Sequence, residues 1–186
     1  MPPQRLHPLR TGKILHRIHR LIHDPIFFGP PDSTPEQRYD DPNGNYKVLY
    51  AALRLDTAFG ETLVRVPTVT DILSTDVLVR ARSELTTTGP VRLYPLVDGG
   101  VSAHGLSFTD LHGANYRRTW EISAWVHANT AADGILYTSR FDNQRCIALF
   151  DRASAAITTT SVTRAALTPE LATQLAERFG KNYVDP

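Results

Sequence analysis

The chain contains one cysteine, Cys146, in 186 residues. A single cysteine cannot form an intramolecular disulfide and offers no cysteine cluster to a metal ion, which suits a reducing compartment. The sequence also lacks an apolar run of about 18 residues, the length that a membrane-spanning helix needs. Residues 1–13 contain no apolar core of the secretory type. We therefore expect a soluble, cytoplasmic protein with no membrane partner.

Neither sign of charge is in excess. Lysine and arginine number 20, aspartate and glutamate number 19, and the formal net charge is +1. No global field therefore favours a polyanionic partner, and any ligand must be recognised locally. The basic stretch at residues 5–23 could contact phosphates, but neither an aromatic stacking pattern nor a helix-turn-helix accompanies it. We expect no direct nucleic-acid binding.

Several catalytic motifs are missing. The sequence has no GxxxxGK[ST], GxGxxG, HExxH or GxSxG, so phosphate loops, dinucleotide folds, zincins and serine-hydrolase elbows have no support. His16, His19 and His23 have a spacing that a helix could turn into a metal-binding face. No acidic or cysteine ligand follows them in a known pattern, and Arg17 and Arg20 would repel a cation. A solvated basic face or a strand edge is the preferred interpretation, and we expect no metal.

The length and the 41% hydrophobic content fit a single domain over residues 1–186, with residues 1–13 as an extended N-terminal arm. About six strand-like segments are interrupted by two or three helices without regular alternation, which predicts an α+β fold. The last helix has the clearest signals. Thr168 stands at its cap, Pro169 at its first position and Gly180 beyond its end.

Residues 14–23, ILHRIHRLIH, fit two structures. Their apolar positions have helical spacing, which would leave the basic side chains on the opposite face, and a short strand is the alternative. The segment YKVLYAAL, residues 46–53, has β-branched and aromatic residues and predicts a buried strand after a DPNGN turn.

A helix is predicted directly after that strand. The carboxylate of Asp56 can accept the free amide hydrogens of a helix that starts at Thr57. Phe59 and Leu63 then form an apolar flank, while Glu61 projects from a different side. We therefore expect Glu61 to lie outside the core.

Four segments in this order resemble the RES domain family, which is named for its Arg, Glu and Ser. They are RYDDP, YKVLYAAL, AFGETL and DGILYTSRFDNQRCIALFD, and the resemblance extends from about Arg17 to Asp151. It implies an α+β fold related to ADP-ribosyltransferases, in which central β-sheets enclose a cleft and helices flank them. It also favours a strand over a helix for residues 14–23.

The resemblance implies an activity as well. RES proteins are mostly toxins of bacterial type II toxin-antitoxin pairs that inhibit growth by breaking the nicotinamide-ribose bond of NAD, by glycohydrolysis or phosphorolysis. NAD is then a substrate, and no cofactor is expected. One alternative is a mono-ADP-ribosyltransferase that modifies a cytoplasmic protein, and another is a non-catalytic binding module. The implied partner is an antitoxin with an Xre-like helix-turn-helix domain.

The family motifs map onto five residues with complementary chemistry. The guanidinium groups of Arg17 and Arg38 match the oxygens of a pyrophosphate. A fixed carboxylate at Glu61 stabilises the oxocarbenium-like ribose, and one carboxylate suffices because nicotinamide leaves as a neutral base. Tyr50 offers a flat face to nicotinamide and a hydroxyl to the sugar or a phosphate. Ser139 would hydrogen-bond the ribose or orient Glu61.

Taken singly, these residues have structural interpretations too. A tyrosine inside a strand such as that of Tyr50 is usually core. Glu61 could be a solvated residue paired with Arg65, four positions on. Arg38 could bridge a neighbouring aspartate such as Asp40, and the strand-end serine could be structural. The co-occurrence of the motifs favours the functional interpretation.

The sequence departs from the family around its arginine. The family often has Gly before this arginine and Trp or Phe after it, whereas Gln37 and Tyr39 flank Arg38 here. Residues 104–127 are the most variable part of the family, and the GLSFTDLHG run within them is a candidate lid. Cys146 lies in an apolar strand, where we expect it to be buried and inert.

Overall fold

The computed structural model of the chain describes residues 5–29 and 34–186. Strands and helices are mixed in it without regular β-α alternation, which confirms the α+β prediction. The strands are β1 His7–Leu9, β2 Ile14–Arg20, β3 Val48–Ala52, β4 Asp71–Leu73, β5 Arg80–Thr87, β6 Val91–Leu96, β7 Gly134–Thr138, β8 Arg145–Phe150, β9 Ile157–Thr159, β10 Ala165–Ala166 and β11 Asn182–Val184. The helices are α1 Leu55–Leu63, α2 Ser74–Leu78, α3 Gly99–Ala103, α4 Phe108–His112, α5 Arg117–Asn129 and α6 Pro169–Glu177, with a 3-10 turn at Asp151–Ala156.

Nine of these strands form one continuous sheet, curled like half a barrel. Its order is β1-β6-β7-β8-β3-β2-β5-β10, with β9 also paired to β5. The β6–β7 pair is parallel and the other pairs of this sheet are antiparallel. A small parallel pair of β4 and β11 stands apart. The central strands β3, β2 and β8 therefore form the floor on which helices pack.

The two faces of the sheet bury separate apolar clusters. Side chains of a strand alternate between faces, and in β3 Leu49 and Ala51 join the first cluster. Val48, Tyr50 and Ala52 point to the second cluster, to which α1, α5 and α6 contribute their buried residues. Tyr50 therefore faces the helices, and any cleft between sheet and helices includes it.

Residues 14–20 form strand β2, as the family resemblance indicated. The helical interpretation of the 14–23 segment is wrong, because β2 is inserted between β3 and β5 and pairs with β5 along its whole length. Leu15 and Ile18 are buried on opposite faces of the sheet. Leu21 and Ile22, which completed the helical pattern, lie beyond the strand and are exposed.

Helix α1 begins earlier than predicted. Its N-cap is Arg54, which has extended backbone dihedrals and no capping side-chain hydrogen bond. The prediction that Asp56 caps the helix is wrong, because Asp56 lies in the first turn. Its carboxylate pairs with Arg54 and with Arg178, at 2.7 Å and 2.9 Å. The helix keeps its predicted orientation, with Phe59 fully buried.

The predicted features of the C-terminal helix are confirmed in α6. The Thr168 hydroxyl accepts a hydrogen bond from the Leu171 amide, and Pro169 occupies the first helical position. Gly180 follows the helix with a φ of +63°, a conformation that favours glycine.

The predicted N-terminal arm is extended but not detached. Residues 7–9 form β1 at the edge of the sheet, paired with β6, while residues 1–4 of the predicted arm lie outside the described residues. In the part of the chain that the structure describes, no helix has the length and apolar character to cross a membrane.

Candidate active-site cavity

A cavity of about 650 Å³ lies on the helical side of the sheet. Strands β2 and β3 form its floor, and α1 forms one wall. The segment of residues 36–38, Tyr116, Tyr137 and the turn at Arg140 and Phe141 contribute to the other walls. The volume falls in the range of small-molecule sites. Of the five residues predicted from the sequence, four line this cavity: Arg17, Arg38, Tyr50 and Glu61.

The lining of the cavity is strongly cationic. Its carboxylates are Glu36 and Glu61, whereas its arginines are Arg17, Arg20, Arg38, Arg65, Arg80 and Arg140. The chain as a whole is almost neutral, so this excess is local. An enclosed surface with one dominant sign attracts ligands of the opposite sign, and the cavity therefore suits an anionic ligand.

Arg38 is only 8% exposed, and its Nη1 atom has no hydrogen-bond partner among the described residues. Its guanidinium lies over the ring of Tyr116, 5.3 Å from the centroid. The backbone beside it is fixed from α5, since Trp120 Nε1 donates to the carbonyl of Gln37 at 2.8 Å. A buried cation with a free N–H is costly unless a ligand accepts from it.

Glu61 has a buried carboxylate oxygen, Oε1, that accepts no hydrogen bond from the described residues. Its predicted structural alternative, a pair with Arg65, is absent from the described contacts, because Arg65 Nη2 donates to Gln37 Oε1 at 2.6 Å instead. No ion pair between Glu61 and Arg38 occurs in residues 34–186 either. The cavity therefore holds opposite charges that do not neutralise each other.

The hydroxyl of Tyr50 is used inside the protein. It donates to Asp40 Oδ1 and accepts from the Tyr39 amide, both at 2.8 Å. The other Asp40 oxygen, Oδ2, accepts from the amides of Glu36 and Gln37. Burial is the main reason that the pKa of Tyr50 is raised well above its usual value. The ring lines the cavity, but the hydroxyl fixes the loop that carries Arg38 and is already engaged.

Arg17 is likewise engaged. Its Nη1 donates to the carbonyl of Pro25 at 2.5 Å and its Nη2 to that of Phe27 at 3.1 Å. Burial lowers the pKa of Arg17 to about 10. The side chain therefore anchors the loop after β2, and fewer of its donors remain for a ligand than the sequence suggested.

Ser139 is not among the residues that line the cavity. It is fully buried at the end of β7, where its hydroxyl accepts from the Phe141 amide at 3.2 Å and its own amide donates to the Gln144 carbonyl. It shapes the turn that places Arg140 and Phe141 in the cavity wall.

Sequence reasoning missed an aromatic and thiol layer behind Glu61. Tyr137 and Cys146 line the cavity and are direct partners in the antiparallel β7–β8 pair. Tyr39 packs beside Tyr137 with ring centroids 4.9 Å apart, and its buried hydroxyl has no partner among the described residues. Cys146 is buried, as predicted, and burial raises the pKa of its thiol. Its inertness stays a prediction. The apolar residues of GILYT and RCIALF predicted buried strands. They could not show which face of the sheet borders the cavity.

The histidines that suggested a metal face are separated by the strand. His16 Nδ1 lies 3.7 Å from Glu84, His19 bonds to the Ser83 hydroxyl, and His23 stacks on Phe27. No group of three or more His, Cys, Asp or Glu side chains suitable for a metal occurs in the part of the chain that the structure describes.

The candidate lid segment forms a short helix beside the cavity. In α4, His112 Nε2 bonds to the carbonyl of Thr138 at 3.1 Å, and Phe108 remains 54% exposed. Neither residue lines the cavity, but Tyr116 of the following loop does. A lid role for residues 105–113 stays a prediction.

The RES domain family model matches residues 14–170. The chain therefore belongs to the RES domain family, which confirms the resemblance drawn from the motifs. The fold is also similar to one chain of the crystal structure of the M. tuberculosis MbcT-MbcA toxin-antitoxin complex, with a TM-score of 0.66 and 14% sequence identity. The match covers 91% of this chain and 92% of the other. No curated protein matches this chain.

The architecture is accordingly the α+β fold of the RES domain family, with helices that flank a curled sheet, as expected. The family resemblance implied central sheets that enclose a cleft. Here a single curled sheet forms one side of the cleft, and α1 forms another.

Proposed function

We propose that this chain is the toxin of a type II toxin-antitoxin pair and that it consumes NAD by cleaving the nicotinamide-ribose bond. Membership of the RES domain family supports the toxin assignment. The similarity to a chain of a toxin-antitoxin complex supports it independently at the level of fold.

The observation that carries the NAD assignment is the unpaired state of Arg38 and Glu61. Each has a buried polar atom without a partner among the described residues, and both line one cationic cavity. A buried unsatisfied group costs about 1–3 kcal/mol, and more when it is charged. A ligand that is anionic at one end and develops positive charge at the other satisfies both groups. NAD at the moment of bond cleavage has this distribution.

The mechanism uses the carboxylate as an electrostatic stabiliser. As the C–N bond to nicotinamide breaks, its electron pair moves to the ring nitrogen and the ribose carbon becomes oxocarbenium-like. Glu61, whose Oε1 atom is buried and has no partner among the described residues, faces this centre and stabilises it. Water or phosphate then bonds to the ribose carbon and loses its proton to solvent. The departing base is neutral, so no general acid is needed.

The aromatic side chains and Asp40 prepare the cavity for this step. The ring of Tyr50 offers a flat face for nicotinamide, and the ring of Tyr116 supports the guanidinium of Arg38. Asp40 and the Tyr50 hydroxyl hold the loop so that Arg38 needs no reorganisation on binding. Preorganised charge is the main source of such catalysis.

The product analysis distinguishes the possible acceptors. Purified protein is incubated with NAD in phosphate-free buffer, with added phosphate, and with a bacterial lysate. Nicotinamide with ADP-ribose supports hydrolysis, and nicotinamide with ADP-ribose 1″-phosphate supports phosphorolysis. Label transferred to a lysate protein supports ADP-ribosyl transfer instead. Absence of nicotinamide release under all three conditions contradicts an NAD-cleaving enzyme and leaves a binding module.

We also propose that an antitoxin with an Xre-like helix-turn-helix domain inhibits the chain by covering this cavity. The cationic lining favours an acidic segment of that partner. Co-expression with a helix-turn-helix protein encoded beside the toxin should restore growth and suppress NAD loss. Suppression that persists when the acidic segment is deleted would contradict this mode of inhibition.

A further inference from the structure

Three arginines meet at one end of the cavity from three elements. Arg20 at the end of β2 and Arg80 at the start of β5 are direct partners in the antiparallel register. Arg65 follows α1, which packs against β2. All three line the cavity. Directly opposite residues of an antiparallel pair have Cβ atoms about 5 Å apart, and like charges there are destabilising.

Little in the described structure neutralises this cluster. Arg80 Nη1 donates to the backbone carbonyl of Asp76 and lies 3.9 Å from Asp76 Oδ1. The Asp76 side chain is nevertheless 59% exposed, whereas that of Arg80 is 16% exposed. Burial lowers the pKa of Arg80, and the charges of Arg20 and Arg65 lower it further against the opposing effect of Asp76. The guanidinium of Arg65 bonds only to a neutral amide, that of Gln37.

Arg20 has no side-chain hydrogen bond or ion pair among residues 5–29 and 34–186. The cluster therefore combines repulsion with unused donors, and this combination is stabilised by an anion that accepts several charge-assisted hydrogen bonds. It differs from Arg17, whose donors already bond to Pro25 and Phe27.

We infer that Arg20, Arg65 and Arg80 form the subsite for the diphosphate of a dinucleotide ligand. The assignment rests on the proposed function for the identity of the ligand. Arg65 follows Glu61 by four residues and lies two residues past the end of α1, and both residues line the cavity. In NAD a single ribose separates the reacting carbon from the diphosphate. A ribose over Glu61 therefore brings the diphosphate to the three arginines.

The inference is tested by calorimetric titration with ADP and ADP-ribose, which carry the diphosphate but no bond to nicotinamide. The variants are Arg20→Gln, Arg65→Gln and Arg80→Gln. Each should bind ADP-ribose roughly tenfold more weakly than the parent chain, the effect of losing one charge-assisted hydrogen bond. Nicotinamide, which has no phosphate, should bind the variants as it binds the parent. A titration with inorganic phosphate alone distinguishes a subsite for a diphosphate from a site that binds any phosphate.

Arg117→Gln is the matched control, because Arg117 is 82% exposed on α5, outside the cavity, and loses the same charge. Arg20 is exposed at a strand end, so its variant should fold even if Arg80→Gln does not. The inference is overturned if the parent does not bind ADP-ribose, or if Arg20→Gln and Arg65→Gln bind it within twofold of the parent. Inorganic phosphate binding that saturates the cluster without displacing ADP-ribose would also overturn it.

The outcome is separable from that of the proposed function. ADP-ribose binding that depends on the three arginines, in a chain that releases no nicotinamide from NAD, contradicts the proposed reaction and retains the subsite. If the chain releases nicotinamide from NAD but the three arginine variants bind ADP-ribose as tightly as the parent, the proposed reaction is retained and the subsite is contradicted.

Discussion

Arg38 and Glu61 lie in the wall of one cavity with opposite charges and no ion pair between them. Each has a buried polar atom that the described residues leave without a partner. If the two side chains served stability alone, we would expect them to form an ion pair or to be exposed to water. Their separation indicates a gap shaped for a ligand, which is stabilised at both ends when bound.

The loop that carries Arg38 depends on the Tyr50 hydroxyl. Tyr50→Phe removes the bonds to Asp40 and to the Tyr39 amide and leaves both without this partner. We expect a loss of about 1–3 kcal/mol in the free energy of unfolding and a fall in NAD turnover. Urea denaturation and nicotinamide release measure these. A Tyr50→Phe variant with wild-type stability but no turnover would instead indicate that the hydroxyl contacts the substrate.

Arg17 is expected to act mainly on the fold. Arg17→Met keeps much of the apolar stem but leaves the carbonyls of Pro25 and Phe27 without their donors. The free energy of unfolding should fall by about 2–3 kcal/mol. In ADP-ribose titrations the folded variant should lose less affinity than Arg20→Gln. The opposite order would restore Arg17 as a principal diphosphate ligand.

Ser139 offers a graded test of the turn after β7. Ser139→Ala removes the acceptor for the Phe141 amide, so we expect a loss of about 1 kcal/mol in stability. Turnover should fall only through the displacement of Arg140 and Phe141. A turnover loss as complete as that from Glu61→Gln, with unchanged stability, would contradict this indirect role.

Stability should fall on mild acidification. Burial, with Arg17 and Arg164 nearby, lowers the pKa of His19, which bonds to the Ser83 hydroxyl. The unfolded chain then binds the proton more tightly than the folded chain, so the free energy of unfolding falls as the pH drops below about 6.5 and levels off below the folded pKa. Burial also lowers the pKa of four other histidines, which are His16, His104, His112 and His127.

Thermal unfolding between pH 7.5 and 5 measures this effect. The melting temperature should decrease across the interval, and His19→Gln should decrease less. A melting temperature that rises towards pH 5 would contradict it.

Local signals predicted much of the fold. Thr168, Pro169 and Gly180 set the ends of α6 by their own chemistry. Periodicity failed at residues 14–23, because pairing with β5 decides the structure there and is a long-range property. Of the five candidate residues identified from the family motifs, four line the cavity.

Other features of the site depend on tertiary arrangement. The motifs could not show that Tyr50 and Arg17 use their donors internally. They also could not show that Arg20 and Arg80 are cross-strand partners, since register is fixed by the whole sheet.

Glu61→Gln tests the central claim most directly, with both NAD turnover and the free energy of unfolding measured on one preparation. The substitution removes the charge of a half-buried carboxylate whose Oε1 atom has no partner among the described residues, and it keeps the shape of the side chain. We predict at least a 10²-fold loss of turnover with stability unchanged or increased. The control Glu121→Gln removes a half-exposed carboxylate on α5 and should leave turnover unchanged. Turnover within twofold of wild type in a folded Glu61→Gln protein would contradict the account.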